Sequence, residues 1–267
     1  MIVKPFAAVR PTASVADQVA ALPYDVYDRV EAAAAVDGEP LSFLNIDRPE
    51  TQFSADVDMY APEVYAKARE LFDARRADGT FVTEPAPCFY LYELTMNERS
   101  QTGVVACCAI DDYLENVIKK HENTLEKKEL DRIRHIDALD AQTGPIFLTY
   151  RDSDAIDILV AAVKKTAPLY DFAGEDGVTH RVWRMAAASE ETACSQAYCR
   201  FGRGIRQGAC AICRWASSSG IGREGWFGAP RGESGLRRNR GIQLLHECAL
   251  PCVAAFDSCL QPRGTRP

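Results

Sequence analysis

Apolar and polar positions along residues 1–187 fall into short runs with two different periods, and those runs predict alternating strands and helices. Residues 2–9 read as a short strand, closed by Pro5 and Pro11, which lack the N–H that a ladder needs. Residues 15–21 read as a short helix that stops before Pro23, because a proline disfavours helical geometry in the residue it follows. Residues 27–36 are Ala-rich and helical, and residues 41–46 alternate as a strand would. Val64, Ala68, Leu71 and Phe72 recur about one turn apart and predict an amphipathic helix over 61–76, with Gly79 just past its end. Residues 89–95 and 103–110 form a predicted strand pair around the polar turn 96–102. A further strand is expected over 146–150, a helix over 154–166 with Ile156, Leu159, Val160 and Val163 on one face, and a last strand over 177–184. Mixed elements without internal repeats predict an α+β, or mixed α/β, domain.

The pattern ends near residue 188. Residues 188–267 show no sustained period of 2 or 3.6 residues, so no core of their own is expected and the tail reads as disordered. The tail holds 11 Arg and no Lys, against 12 Arg and 8 Lys before it, and seven of the ten cysteines. Counting Asp, Glu, Lys and Arg, residues 1–187 carry −12 and the tail +5, together the −7 of the whole. Abundant Arg, Ala, Gly, Ser, Cys and Pro without Lys is what a GC-rich gene yields out of frame.

Composition narrows the classes. A hydrophobic content of 47 % supports a packed core. No apolar run reaches the roughly 18–20 residues that span a bilayer. The start of the chain lacks the basic and apolar regions of a secretory signal, so a cytoplasmic location and reduced cysteines are expected. Cys88, Cys107 and Cys108 sit in apolar, strand-like surroundings that suit core residues. The acidic balance of residues 1–187 argues against binding nucleic-acid phosphates.

Candidate chemistry gathers around one helix. Asn123 with Glu126 fits a capping box opening a helix over 124–139, whose apolar side would be supplied by Leu125, Ile133, Ile136 and Leu139. His121, Lys128, Arg132 and His135 are spaced to project along one side. His121 and Glu122 precede the helix start, where free N–H groups and the positive end of the dipole suit an anion. Glu122, Glu129 and Asp131 offer carboxylates for a metal ion or a general base. The plain alternative is a solvated charged helix held by ion pairs between neighbouring turns. Asp25 after Pro-Tyr suits a turn more than a catalytic role and His180 suits a strand, and a phosphate contact is the lesser of the readings open to Arg10.

Several strings resemble the bacterial and archaeal family called domain of unknown function 1015, itself similar to ParB-like and sulfiredoxin-like proteins. They are IVKPFAAVRP from residue 2, ALPYDVYDRVEA from 21, LSFLNIDRPE from 41, YAKARELFDARRADGTF from 65, and above all DDYLENVIKKHENTLEKKELDRIRHIDALDAQTGPIFLTY from 111, with HRVWRM from 180. The resemblance covers residues 2–186, and intact members continue into an ADGHHR turn. That turn is absent from the chain, yet Cys213–Arg214–Trp215–Ala216–Ser217–Ser218–Ser219 can be encoded TGC CGA TGG GCA TCA TCG TCG, which reads Ala-Asp-Gly-His-His-Arg one base later. The same one-base shift permits family-like strings over 241–251 and 260–266.

The resemblance therefore implies residues 1–187 as the N-terminal part of an incomplete ParB-like domain and 188–267 as a frameshifted tail. Some relatives of that fold are nucleotide-dependent kinases of free serine. By that resemblance His121, Lys128, Arg132 and His135 would face phosphate, and Glu122 or Glu129 would be the base or metal carboxylate. ATP or ADP with magnesium would be the cofactor and a small hydroxylated metabolite the substrate. The intact form would then be the kinase and the chain as written inactive. The rival readings are a non-enzymatic nucleotide- or partner-binding regulator, and a zinc-binding regulator using Cys210, Cys213, His246, Cys248 and Cys252, whose second half lacks a familiar spacing.

The frame reading predicts a one-base insertion or deletion in the gene between about codons 186 and 200. Sequencing that stretch tests it, and stop codons in the shifted frame before codon 260 would exclude it.

Overall fold

Cys88–Met96 is an almost wholly buried strand with apolar side chains on both faces, and the rest of the domain is arranged around it. In the computed structural model, which describes residues 2–120, 126–145, 147–150, 153–187, 211–214 and 253–255, the elements run as follows. They open with β1 (Val3–Lys4), β2 (Ala8–Pro11), α1 (Ala16–Val19), α2 (Arg29–Ala35), α3 (Leu44–Asp47) and α4 (Pro62–Ala77). Next come β3 (Phe81–Thr83), β4 (Cys88–Met96), β5 (Arg99–Val105), β6 (Cys107–Cys108), α5 (Ile110–Leu114), β7 (Ile118–Lys120) and α6 (Glu126–Leu139). Then follow β8 (Ala141–Gln142), β9 (Phe147–Thr149), α7 (Asp154–Val163), β10 (Tyr170–Ala173) and β11 (Thr179–Ala186), and in the tail β12 (Ala211–Arg214) and β13 (Val253–Ala255). The fold class is mixed α+β.

The principal sheet has the order β10-β11-β4-β5, all antiparallel. Its hairpin turns at Asn97 and Glu98, both at positive φ (49° and 62°), so the loop is two residues long, and β5 begins at Arg99 rather than 103 and ends at Val105 rather than 110. Alternate residues of β4 serve two cores. Phe89 and Leu91 pack with Trp183, Met185, Tyr150 and the Leu159–Val163 face of α7. Cys88, Tyr90, Tyr92 and Leu94 pack with Phe6, Val182 and Tyr170. A third core joins Val9, Phe43, Ile46, Phe72, Phe81, Leu139 and Ala141 between α4, α3 and the sheet β3-β2-β13-β8. Cys88 is buried, whereas Cys107 and Cys108 are half-buried.

Two expectations need correction. Residues 41–46 are not a strand: Ser42 through Ile46 are all buried, and Leu44–Asp47 is a helical turn. Local polar chemistry decides it, since the Asn45 side-chain amide donates to the carbonyls of Glu39 and Ser42 at 2.9 and 3.1 Å. The expected strand over 2–9 is split at Pro5 into β1, a bridge at Phe6, and β2. The helix at α2 carries a reciprocal capping box, with Glu31 N donating to Asp28 Oδ1 at 2.8 Å and Asp28 N to Glu31 Oε2 at 2.9 Å. Of the tail, the described residues are two short strands. β12 lies between β7 and β9, and β13 between β2 and β8.

A buried carboxylate ties the sheets together. Glu84 accepts from Arg10 Nε at 2.5 Å and from Arg184 Nη1 at 2.8 Å, while Tyr170 donates to the Pro11 carbonyl at 2.5 Å. Arg10 thus spends its side chain inside the fold, on Glu84 and on Tyr170 at 3.2 Å. Glu84→Ala leaves Arg10 without its buried counter-charge and is expected to lower the unfolding free energy by about 3 kcal/mol. Arg184→Ala, at the more exposed end, is expected to cost about 1 kcal/mol or less. Urea denaturation separates the two, and equal losses would contradict the assigned burial.

Candidate functional site

The helix α6 lies with its polar stripe inward. Leu130 and Ile133 are each 46 % exposed, whereas His135 is fully buried and Arg132 largely so. This inverts the expected apolar side at Ile133. A buried polar side chain is more informative than an exposed Leu, because it must be offset by specific partners.

Those partners come from three other segments. The Arg132 guanidinium lies 4.0 Å over the Tyr24 ring, in the 3-10 turn Tyr24–Val26. Its Nε and Nη2 donate to Asp131 Oδ2 at 3.1 and 2.9 Å, and its Nη1 is 3.8 Å from Asp47 Oδ1 at the end of α3. Asp131 Oδ1 accepts from the Tyr65 hydroxyl on α4 at 2.8 Å, and Asp47 Oδ1 accepts from Thr143 at 3.0 Å. Arg48 fixes the Tyr24 turn from below, donating to the carbonyls of Tyr24 and Tyr27, each at 2.7 Å. Lys127 lies 4.7 Å over the Tyr60 ring.

Charge states follow from these neighbours. Burial disfavours the Arg132 cation, but Asp47, Tyr24 and Asp131 outweigh it and hold its pKa above the ordinary value. Burial pushes the Tyr24 phenol up to about 12 against the pull of Arg132. Burial and the hydrogen bond to Asp131 raise that of Tyr65. His135 Nε2 lies 2.9 Å from the Ile46 carbonyl, which only an N–H can satisfy, so Nε2 donates and Nδ1 is left as a bare acceptor. Nδ1 has no hydrogen-bond partner among the described residues. Burial first, and Arg132 next, hold the imidazole pKa below the ordinary 6.5, against Asp47 at 3.9 Å.

Of the sequence-predicted site residues, Arg132 and His135 are brought together against Asp47. Lys128, half-buried, lies one turn earlier on the same face, and Glu129 is exposed. His121 and Glu122 lie outside the described residues, as do Cys210, His246, Cys248 and Cys252; Cys213 falls in β12. No group of three or more potential metal-ligating residues occurs among the described residues. Asp25 lies in the Tyr24–Val26 turn, and His180 is a buried strand residue 2.7 Å from the Tyr92 hydroxyl and stacked on Phe172. Sequence reading did not single out Asp47, Tyr24, Tyr65 or Thr143. The signal for Tyr24 was present beside Asp25, but Asp47 was hidden by the strand expected over 41–46.

A histidine held neutral in the fold takes up fewer protons than the unfolded chain below pH 6.5. Stability is therefore full above that value and falls as the pH drops below it. His180, also depressed by burial, adds to the same slope. His135→Gln is expected to flatten this acid-side fall in chemical-denaturation series between about pH 7 and 5. An unchanged slope would mean that His135 is not buried neutral.

No curated protein and no solved structure matches the chain. A family model does, over residues 3–200, which spans the principal sheet, α6 and the Arg132 cluster. The chain belongs to that family, described as protein of unknown function DUF1015.

Proposed function

We propose that the intact domain is a nucleotide-dependent kinase of a small hydroxylated metabolite such as free serine, and that the chain as written is inactive. One observation supports the reading above the others. β7 and β12 are adjacent and parallel, with Cys213 opposite Lys120. Their carboxyl ends are therefore side by side. The first leads into His121 and Glu122 and then α6; the second leads into the stretch that reads Ala-Asp-Gly-His-His-Arg one base later. Ligands of sheets with parallel strands bind outside carboxyl ends, where a following helix adds free N–H groups.

In this reading His121, Lys128, Arg132 and His135 serve the phosphates, and Glu122 or Glu129 serves as base or metal carboxylate. Arg132 supports its part through Nη1, which among the described residues lies 3.8 Å from Asp47 Oδ1 without a hydrogen bond, although Nε and Nη2 are held by Asp131. His135 is the more enclosed of the set and fits a positioning role, fixing α6 to Ile46. ATP or ADP with magnesium would supply the phosphoryl group and charge neutralisation. The protein's share is then to position the accepting hydroxyl and remove its proton. The family match ends at residue 200, ahead of the ADGHHR position, which accords with a frame change that costs the chain half of its donors.

Restoring the frame is expected to restore nucleotide binding. Losing two charge-assisted contacts of roughly 1.5–3 kcal/mol each weakens binding about a hundredfold or more. Titration calorimetry of both proteins with ATP and ADP reads this, and Lys128→Ala and Arg132→Ala in the restored protein are expected to weaken it again. Substrate-dependent release of ADP or AMP identifies the kinase. Equal affinity in the two chains sinks the shared-site assignment, and binding without turnover favours a regulator.

A further inference from the structure

α6 is flanked in the chain by β7 and β8, and each of these strands has a tail segment as its strand partner. β7 pairs with β12, which also pairs with β9. β8 pairs with β13, which also pairs with β2. Neither β7 and β9 nor β2 and β8 are neighbours in the described sheets; in each case one strand stands between them. Taking it away leaves a gap of two strand spacings, about 10 Å. With β12 and β13 in place Ile118, Leu148 and Ala141, on the lips of these gaps, are buried, and the inserted strands face their backbone edges where water would otherwise stand.

We propose that these edges form two strand-accepting slots, one at each end of α6. Their occupants are extended segments of the chain's own tail, Ala211–Arg214 and Val253–Ala255, and the tail thereby positions α6. The inference stands on sheet topology and does not depend on the nucleotide reading. The two occupants, Ala-Ile-Cys-Arg and Val-Ala-Ala, share no side-chain pattern, and one of them runs parallel to one lip and antiparallel to the other. Recognition of this kind is carried by main-chain hydrogen bonds, as in strand addition to an open sheet edge. This explains how a tail with no apolar period can still add order. It also tolerates a change of frame, because a one-base shift alters the side chains without altering how many residues separate a segment from residue 187.

Hydrogen–deuterium exchange of the full-length chain tests the proposal. A proline in a central strand removes a ladder donor. Ile212→Pro is expected to speed exchange about tenfold or more at residues 118–120 and 147–149, while 88–96 and 179–186 keep their protection. Ala254→Pro is expected to do the same at residues 8–9 and 141–142. Ile212→Ala keeps the N–H and is expected to exchange like the parent. Parent-like exchange in both proline variants overturns the proposal. Loss of protection in Ile212→Ala equal to that in Ile212→Pro overturns the main-chain basis of recognition. A concentration-dependent dimer in sedimentation, with both slots protected, overturns the assignment of the occupant, because a second copy then fills the slots.

Discussion

The need to pair both edges of β4 governs this fold. From Cys88 to Leu94 β4 is buried on both faces, so its N–H and C=O groups there have no water to fall back on, and β5 and β11 supply the partners along it. Its alternate side chains then set two cores back to back, one closed by α7 and the other by Phe6 and Tyr170. Where a charge enters this layer it is matched. Glu93, buried in β4, accepts from Thr102 at 2.8 Å and pairs with Lys164 at the end of α7. Glu84, just before β4, pairs with Arg10 and Arg184.

Away from that sheet the same rule is met in another way. α6 is packed at its end by Leu139 in the third core and along its length by charges: Arg132 on Tyr24 and Asp131, Asp131 on Tyr65, and His135 on the Ile46 carbonyl. Burying such groups costs free energy that apolar residues at the same positions would avoid. Leu130 and Ile133 are meanwhile left on the outside. The whole arrangement lies within the family match over residues 3–200.

The legible parts of the sequence were those with local causes. α4, α7 and the β4–β5 hairpin follow from their own spacing of apolar residues and from the polar turn between the strands. The strands β7, β8 and β10 are two to four residues long, too short for a period to declare itself, whereas β9 falls inside the strand expected over 146–150. Residues 41–46 alternate like a strand, yet the Asn45 side chain satisfies nearby carbonyls and bends the chain into a turn. The position of α6 was readable, but its orientation was not. What turns Arg132 inward is Tyr24 and Asp47, far away in sequence, and no spacing within 124–139 carries that information. The composition break near residue 188 was plain, whereas the two tail strands depend on open backbone edges elsewhere in the fold.

In the proposed function the charged face of α6 and the carboxyl ends of β7 and β12 serve one phosphate site. A crystal structure of the frame-restored protein grown with ATP and magnesium tests it most directly. The account predicts nucleotide density at those strand ends, with phosphate oxygens within hydrogen-bonding distance of Lys128 and Arg132 Nη1. Nucleotide density elsewhere, with Arg132 still closed on Asp131, Asp47 and Tyr24, would contradict it.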